Sequence, residues 1–228
     1  GAGGAALSVT ADVTDAHDRE ALIAQTQERF GRIDALINNA GRGYVTSTVD
    51  MSAGDIRTDF ELNVVAPMLL TQLALPELRR HRGIVINVAS IAGRIAVPPL
   101  TIYNATKFAL IGWSEAMRRE LRAQGVRVCI VDPGPIATEF GVATIGSQDD
   151  ATKPPTGLSA DVVARRIVRL MAHPQREIVI PRIYRLAIIL NQWLPGLIDM
   201  GTARMVRRDL PPRAAGDKPS PPVSVQSD

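Results

Sequence analysis

Two stretches of this sequence, 83–89 (GIVINVA) and 126–131 (VRVCIV), are almost continuously apolar and β-branched. A strand with one wet face alternates apolar with polar residues, whereas a strand covered on both faces does not. Each stretch follows residues with helical spacing, 52–78 and 103–123 respectively. The same pairing recurs where 33–38 (IDALIN) follows 18–30, and where 177–180 follows 160–172. Strands and helices that take turns in this way make parallel strands joined by right-handed crossovers. The expected fold is an α/β doubly wound parallel sheet, with 5–13 (AALSVTADV) as one further short strand. Thr14 and Asp15 offer a helix N-cap, as does Ser159, while Gly31 and Gly125 stand where helices should stop. Pro67 should interrupt or kink the long helix over 52–78.

Composition narrows the class. Of 228 residues, 46% are hydrophobic and 21% charged, which excludes a mainly disordered, collagen-like or disulfide-framework chain. The single cysteine, Cys129, permits no intrachain disulfide; it reads as a small core residue, and reducing cytoplasm is the simplest compartment. His17, His81 and His173 lie far apart and match no metal-ligand spacing, so no metal is expected. A net charge of +3 is a thin footprint for nucleic acid, and that partner is not expected. No run of about 18 apolar residues is present to span a bilayer.

In an open parallel sheet ligands bind beyond the carboxyl ends of the strands. Asp12, Asn39 to Gly41, Ser90 and Pro133-Gly134 stand at those ends and should line one rim. Next to them Tyr103-Asn104-Ala105-Thr106-Lys107 sets a tyrosine and a lysine four apart, on one face of a helix. A tyrosine hydroxyl ordinarily titrates near 10, and a close ammonium favours the phenolate. A fall of about three units takes roughly 4 kcal/mol, a plausible load for a cation in a dry site. Such a pair also occurs on ordinary helix surfaces, and Ser90 alone reads equally as a strand-end turn residue or cap.

The combination is more specific than its parts. Asp12-Val13, Asn38-Asn39-Ala40-Gly41, Asn63, Ser90, Tyr103 with Lys107, and Pro133-Gly134-x-x-x-Thr138 stand in the order and at the spacings of a short-chain dehydrogenase/reductase. The chain resembles that nicotinamide-dependent family, with its Rossmann-like sheet, over about residues 5–181. The resemblance implies NAD or NADP as cofactor and hydride exchange with an alcohol or carbonyl substrate. It makes Tyr103 the general acid/base and Lys107 the residue that lowers its pKa and holds the nicotinamide ribose. Ser90 would bind the substrate oxygen, and Asn63 would tie a water to Lys107; Asn63 also reads as a buried amide satisfying backbone at the helix kink. Asp12, Val13, Asn39, Ala40 and Gly41 would meet the adenosine side. Pro133, Gly134, Ile136 and Thr138 would meet the carboxamide and diphosphate side.

The chain departs from the family at its start. Gly1-Ala2-Gly3-Gly4 resembles the loop before the family's third strand, not the glycine-rich diphosphate turn. The sheet is therefore expected without its first two strands, leaving 5–13 without a neighbour and 33–38 as a bare edge. A truncated chain that pairs with full-length subunits without catalysing anything is the alternative reading, and the choice of NAD or NADP is not legible. The expected organisation is a truncated domain over 1–181, an apolar and basic helical segment over 182–208, and a disordered Pro-rich tail over 209–228. A flap over 141–157 and the apolar stretch 95–100 suggest a small apolar alcohol or carbonyl substrate, although 95–100 reads also as packing beneath the flap. The resemblance suggests a homodimer or tetramer paired through 52–78 and 103–123. The 182–208 segment suggests peripheral membrane contact, pocket closure or packing on a sister subunit.

Overall fold

The computed structural model describes residues 4–43, 48, 51–137 and 157–209, with side chains described to Thr202. Helix α1 (Ala16–Phe30) starts at Asp15, whose carboxylate accepts from Asp18 N–H, and stops at Gly31, which takes φ 74° where a side chain would be strained. Strand β1 (Ala35–Asn38) leads to helix α2 (Ala53–Phe60), which opens on a reciprocal Ser52–Asp55 capping box. A π-turn over Glu61–Val65 joins α2 to α3 (Ala66–Arg80). The interruption expected at Pro67 therefore lies one turn earlier, because proline lacks the N–H that would bond to the carbonyl four residues back.

Strand β2 (Ile84–Val88), a 3-10 turn over Ile91–Gly93 and helix α4 (Thr101–Leu121) follow. Strand β3 (Arg127–Pro133) comes next, then the short strands β4 (Ile136–Ala137) and β5 (Leu158–Ser159), which pair with each other. Helix α5 (Ala160–Ala172) is capped by Ser159 and leads into β6 (Glu177–Ile180). Two helices, α6 (Tyr184–Trp193) and α7 (Pro195–Asp209), end the described chain.

The main sheet has the order β1-β2-β3-β6 and is parallel throughout. Side chains alternate across it and both faces are covered. Val85 and Val128 pack with Ala74, Leu78, Met117 and Leu121 of α3 and α4. Ile84, Ile86, Cys129 and Val131 pack with Val163 and Leu170 of α5. That double covering is what the unbroken apolar runs demanded.

One strand is corrected. Residues 4–12 form no strand and a turn follows, because no neighbour supplies a ladder for their backbone groups. As expected, β1 is an edge strand, among the described residues bonded only to β2, with Ile37 exposed on it. Thr138, the flap apart from Gly157, and the tail from residue 210 lie outside the described residues.

A chain of buried polar side chains crosses beneath the strands. Asn38 donates to Thr71 Oγ1 at 3.1 Å and to Asn87 Oδ1 at 2.8 Å, and Asn87 donates to Ser114 Oγ at 2.7 Å. Each member is satisfied, so the network fixes β1, β2, α3 and α4 in one register with no orphaned polar group.

Candidate active site

At the carboxyl end of β2 the backbone leaves the sheet through Ser90, whose hydroxyl accepts from Ala92 N–H at 3.1 Å and so caps the 3-10 turn. The same hydroxyl is hydrogen-bonded to Tyr103 in the first turn of α4 and lies 3.4 Å from the Pro133 carbonyl. Strand end, helix start and the end of β3 thus converge on one point, as the rim argument requires. The turn can lie this close to α4 because residue 93 is glycine. A Cβ there would stand 2.8 Å from the Lys107 carbonyl carbon and oxygen and 2.6 Å from Ile111 Cδ1.

Lys107 is buried at the same end of the sheet. Its ammonium donates to the Val88 carbonyl at 3.1 Å and lies 5.5 Å from the Tyr103 ring centroid. Among the described residues it forms no salt bridge. Burial pushes it down to about 8, against a smaller pull upward from the Asp132 charge. Tyr103 departs from expectation. Burial pushes its hydroxyl up to about 12, and the Ser90 hydrogen bond only partly offsets that. In this arrangement desolvation dominates the phenol, and the contact that offsets it is Ser90 and not Lys107.

Asn63 sits in the π-turn and clasps the chain beyond β1. It accepts from Arg42 N–H at 3.0 Å and donates to the Arg42 carbonyl at 2.9 Å and to Thr106 Oγ1 at 3.0 Å. A Cβ on Gly41 would come 3.0 Å from Asn63 Oδ1 and 3.6 Å from Lys107 Nζ, so this glycine keeps the clasp and the ammonium together. The Asn63 amide thus satisfies backbone from its place in the π-turn, as one of its two expected roles required.

The remaining expected residues divide. Asn39 and Ala40 are exposed beyond β1. Pro133 pairs with Ile180 in the sheet, Gly134 donates to the Ile180 carbonyl at 2.7 Å, and Ile136 pairs with Leu158. Asp12 is exposed; its carboxylate accepts from Thr14 N–H and hydroxyl at 2.9 and 2.7 Å, which keeps it ionised below its usual range. Val13 accepts from the buried Arg19 guanidinium at 2.7 Å. No hydrogen bond among the described residues joins Asp12 or Val13 to the Tyr103 cluster.

Two further groups support the site. Thr106, fully buried, is the partner that orients Asn63; it lies inside the Tyr-Lys pentapeptide and could have been read from it. Arg94, next to the Ser90 turn, reaches Asp132 at 3.3 Å and Glu177 at 2.8 Å, and its carbonyl accepts from Asn191 of α6 at 3.3 Å. Nothing local in the sequence marks that link. A cleft of about 580 Å³ lies elsewhere, along α5 and β6, and is lined by Leu158, Leu170, Ile178 and Arg182.

The model of one protein family, described as short chain dehydrogenase, matches residues 1–148. The chain belongs to the short chain dehydrogenase family. It is 34% identical over 180 residues to the ketoacyl reductase HetN of Nostoc sp., covering 78% of this chain and 62% of that protein. It is 36% identical over 139 residues to a 3-oxoacyl-[acyl-carrier-protein] reductase of Synechocystis sp., covering 60% of this chain and 56% of that one. The chain thus spans somewhat over half the length of these relatives. A short-chain dehydrogenase of Streptomyces avermitilis superimposes with TM-score 0.66 at 27% identity, covering 87% of this chain and 77% of that one. A short-chain dehydrogenase/reductase of Caenorhabditis elegans, solved with cofactor, gives TM-score 0.68 at 28% identity, over 75% of this chain and 72% of that one.

Proposed function

We propose that this short chain dehydrogenase carries the acid/base half of a hydride-transfer site, acting on an alcohol or carbonyl with NAD or NADP. The observation that supports it best is the hydroxyl pair Ser90–Tyr103 set against the buried ammonium of Lys107. The residues present fit a nicotinamide dinucleotide. A buried ammonium with one carbonyl acceptor and no carboxylate partner among the described residues retains donors for ribose hydroxyls, and Gly41 leaves the backbone beside it bare. Lys107, Asn39 to Gly41 and Pro133 to Ile136 would hold the cofactor, which when bound accepts or supplies the hydride.

The chain's own residues handle the oxygen and its proton. Ser90 donates to the substrate oxygen and fixes its distance from Tyr103. Tyr103, neutral at pH 7, gives its proton as negative charge grows on that oxygen. The tyrosinate so formed stands near the Lys107 ammonium, where each charge relieves the other's burial. In the reverse direction the same groups remove the proton. The apolar residues of 95–100 favour a small apolar substrate. The exposed side chains of Ile56, Leu73 and Phe108 on α2 to α4 suit pairing of copies.

Calorimetric titration with NADPH and then NADH tests this reading, together with carbonyl reduction by the parent and by Tyr103→Phe. Saturable binding of one nucleotide and a turnover lost in Tyr103→Phe with binding kept are expected. Unchanged turnover in that variant would refute the assignment. The open edge of β1 supports the second reading, a chain that pairs with full-length subunits. In that case Tyr103→Phe leaves every measured property intact.

A further inference from the structure

Helices α6 and α7 carry a surface unlike the rest of the molecule. Of the fifteen large apolar residues exposed in the described chain, seven lie between residues 183 and 200: Ile183, Leu186, Ile189, Trp193, Leu194, Leu197 and Met200. On α6 they form a stripe, since Leu186, Ile189 and Trp193 stand at i, i+3 and i+7, and Trp193 is 76% exposed. Arg185 stands one turn before Ile189 on α6 and Arg182 lies in the turn that leads into the helix; both are exposed, so cations border the stripe at its N-terminal end.

The charge of the segment selects what covers this face. Residues 182–209 contain five arginines against Asp199 and Asp209, a net +3 equal to that of the whole chain, so the remainder is neutral. A two-fold contact sets a patch against itself and would bring the exposed cations Arg182 and Arg185 of one copy into a patch that carries the same two. An anionic surface complements it. The lengths forbid spanning: α6 has 10 residues and α7 has 15, and no described helix is long and apolar enough to cross a membrane. Tryptophan and arginine beside leucine and isoleucine suit the headgroup boundary of a bilayer.

We infer that the α6–α7 face docks on an anionic lipid surface, lying in the interface plane with Leu186, Ile189 and Trp193 inserted and Arg182 and Arg185 on the headgroups. The docking face is anchored to the site but does not depend on its chemistry. Asn191 of α6 bonds to the Arg94 carbonyl, and the Tyr184 ring fills the place of a Gly134 Cβ, 2.5 Å away at its Cε2.

The test is flotation of the full chain with vesicles of phosphatidylcholine plus phosphatidylglycerol, and with phosphatidylcholine alone. Trp193 emission is read in a Trp113→Phe background, since the chain has two tryptophans. Binding to the mixed vesicles, weakened by salt, and a blue shift of Trp193 are expected. Leu186→Ser/Ile189→Ser/Trp193→Ser should lower the bound fraction about tenfold or more, and Arg182→Glu/Arg185→Glu should abolish the preference for anionic lipid. These positions are exposed, so the melting temperature checks that the variants remain folded. No binding to either vesicle, or equal binding by the triple variant, overturns the proposal. So does a parent dimer in sedimentation that the triple variant dissolves, because a second copy then covers the face.

Discussion

Glycine to alanine at two positions, 93 and 112, is the same chemical change with opposite expected signs. At Gly112, on the exposed side of α4, a new Cβ meets nothing within 4 Å. Alanine there restricts the unfolded chain and favours helix, so it should stabilise by about 0.5–1 kcal/mol. At Gly93 the Cβ would stand 2.8 Å from both atoms of the Lys107 carbonyl group. Ile111 Cδ1 can rotate away, but a carbonyl within a helix cannot. Ordinary contact begins near 3.5 Å, so the turn must retreat by roughly 0.7 Å, at about 1–3 kcal/mol. For a chain of this size each kcal/mol moves the melting temperature by about 2–4 °C. Gly93→Ala should therefore melt about 2–12 °C below the parent, and Gly112→Ala about 1–4 °C above it. The displaced turn carries Ser90, so carbonyl reduction should fall by about tenfold to a hundredfold in Gly93→Ala alone. Circular dichroism melts and initial rates decide it. A Gly93→Ala protein that melts with or above the parent would refute the close-approach argument.

Lys107 releases its proton at about 8 in the fold but near 10.5 when unfolded, so the unfolded chain holds more protons between these values and stability rises with pH there. The stability of the parent relative to Lys107→Met should therefore grow from pH 8 to pH 10 in urea titrations. Asp132 behaves oppositely. Burial and the Glu177 charge raise its pKa against the pull of Arg94, so its contribution is present at low pH and is lost as pH rises through the raised value. Asp132→Asn should gain on the parent as pH rises from about 4 to about 7, again read from urea midpoints.

The sheet was legible because burial on two faces leaves its mark in nearly every residue of 83–89 and 126–131, Arg127 and Asn87 apart. The strand expected over 5–13 failed for a reason that sequence pattern does not carry. A β-branched run becomes a strand only where another backbone supplies its ladder. The helix interruption was legible as to cause, Pro67, yet displaced to Glu61–Val65, because what proline removes is a bond belonging to the turn before it. The Ser90, Tyr103 and Lys107 cluster could be read from strand-end and helix-start logic. Arg94 could not, since its partners Asp132 and Glu177 lie on strands whose adjacency only the folded sheet creates.

The sign of the Tyr103 shift is the most instructive departure. A lysine four residues along a helix suggests a phenol made more acidic, and at the surface that pair rule would hold. Here the helix start is buried, and the two groups pay separately for leaving water. The ammonium is directed at the Val88 carbonyl and lies 5.5 Å from the ring centroid, so its field on the hydroxyl does not repay that loss. Tyr103 therefore moves up and Lys107 moves down, each toward its neutral form. The same displacement makes the pair responsive. A proton leaving Tyr103 creates a charge that, like that of Asp132, lowers the cost of the Lys107 ammonium, and the ammonium in turn lowers the cost of the tyrosinate. In the proposed function such a site would hold its proton firmly at rest and yield it to an oxygen that has begun to carry negative charge.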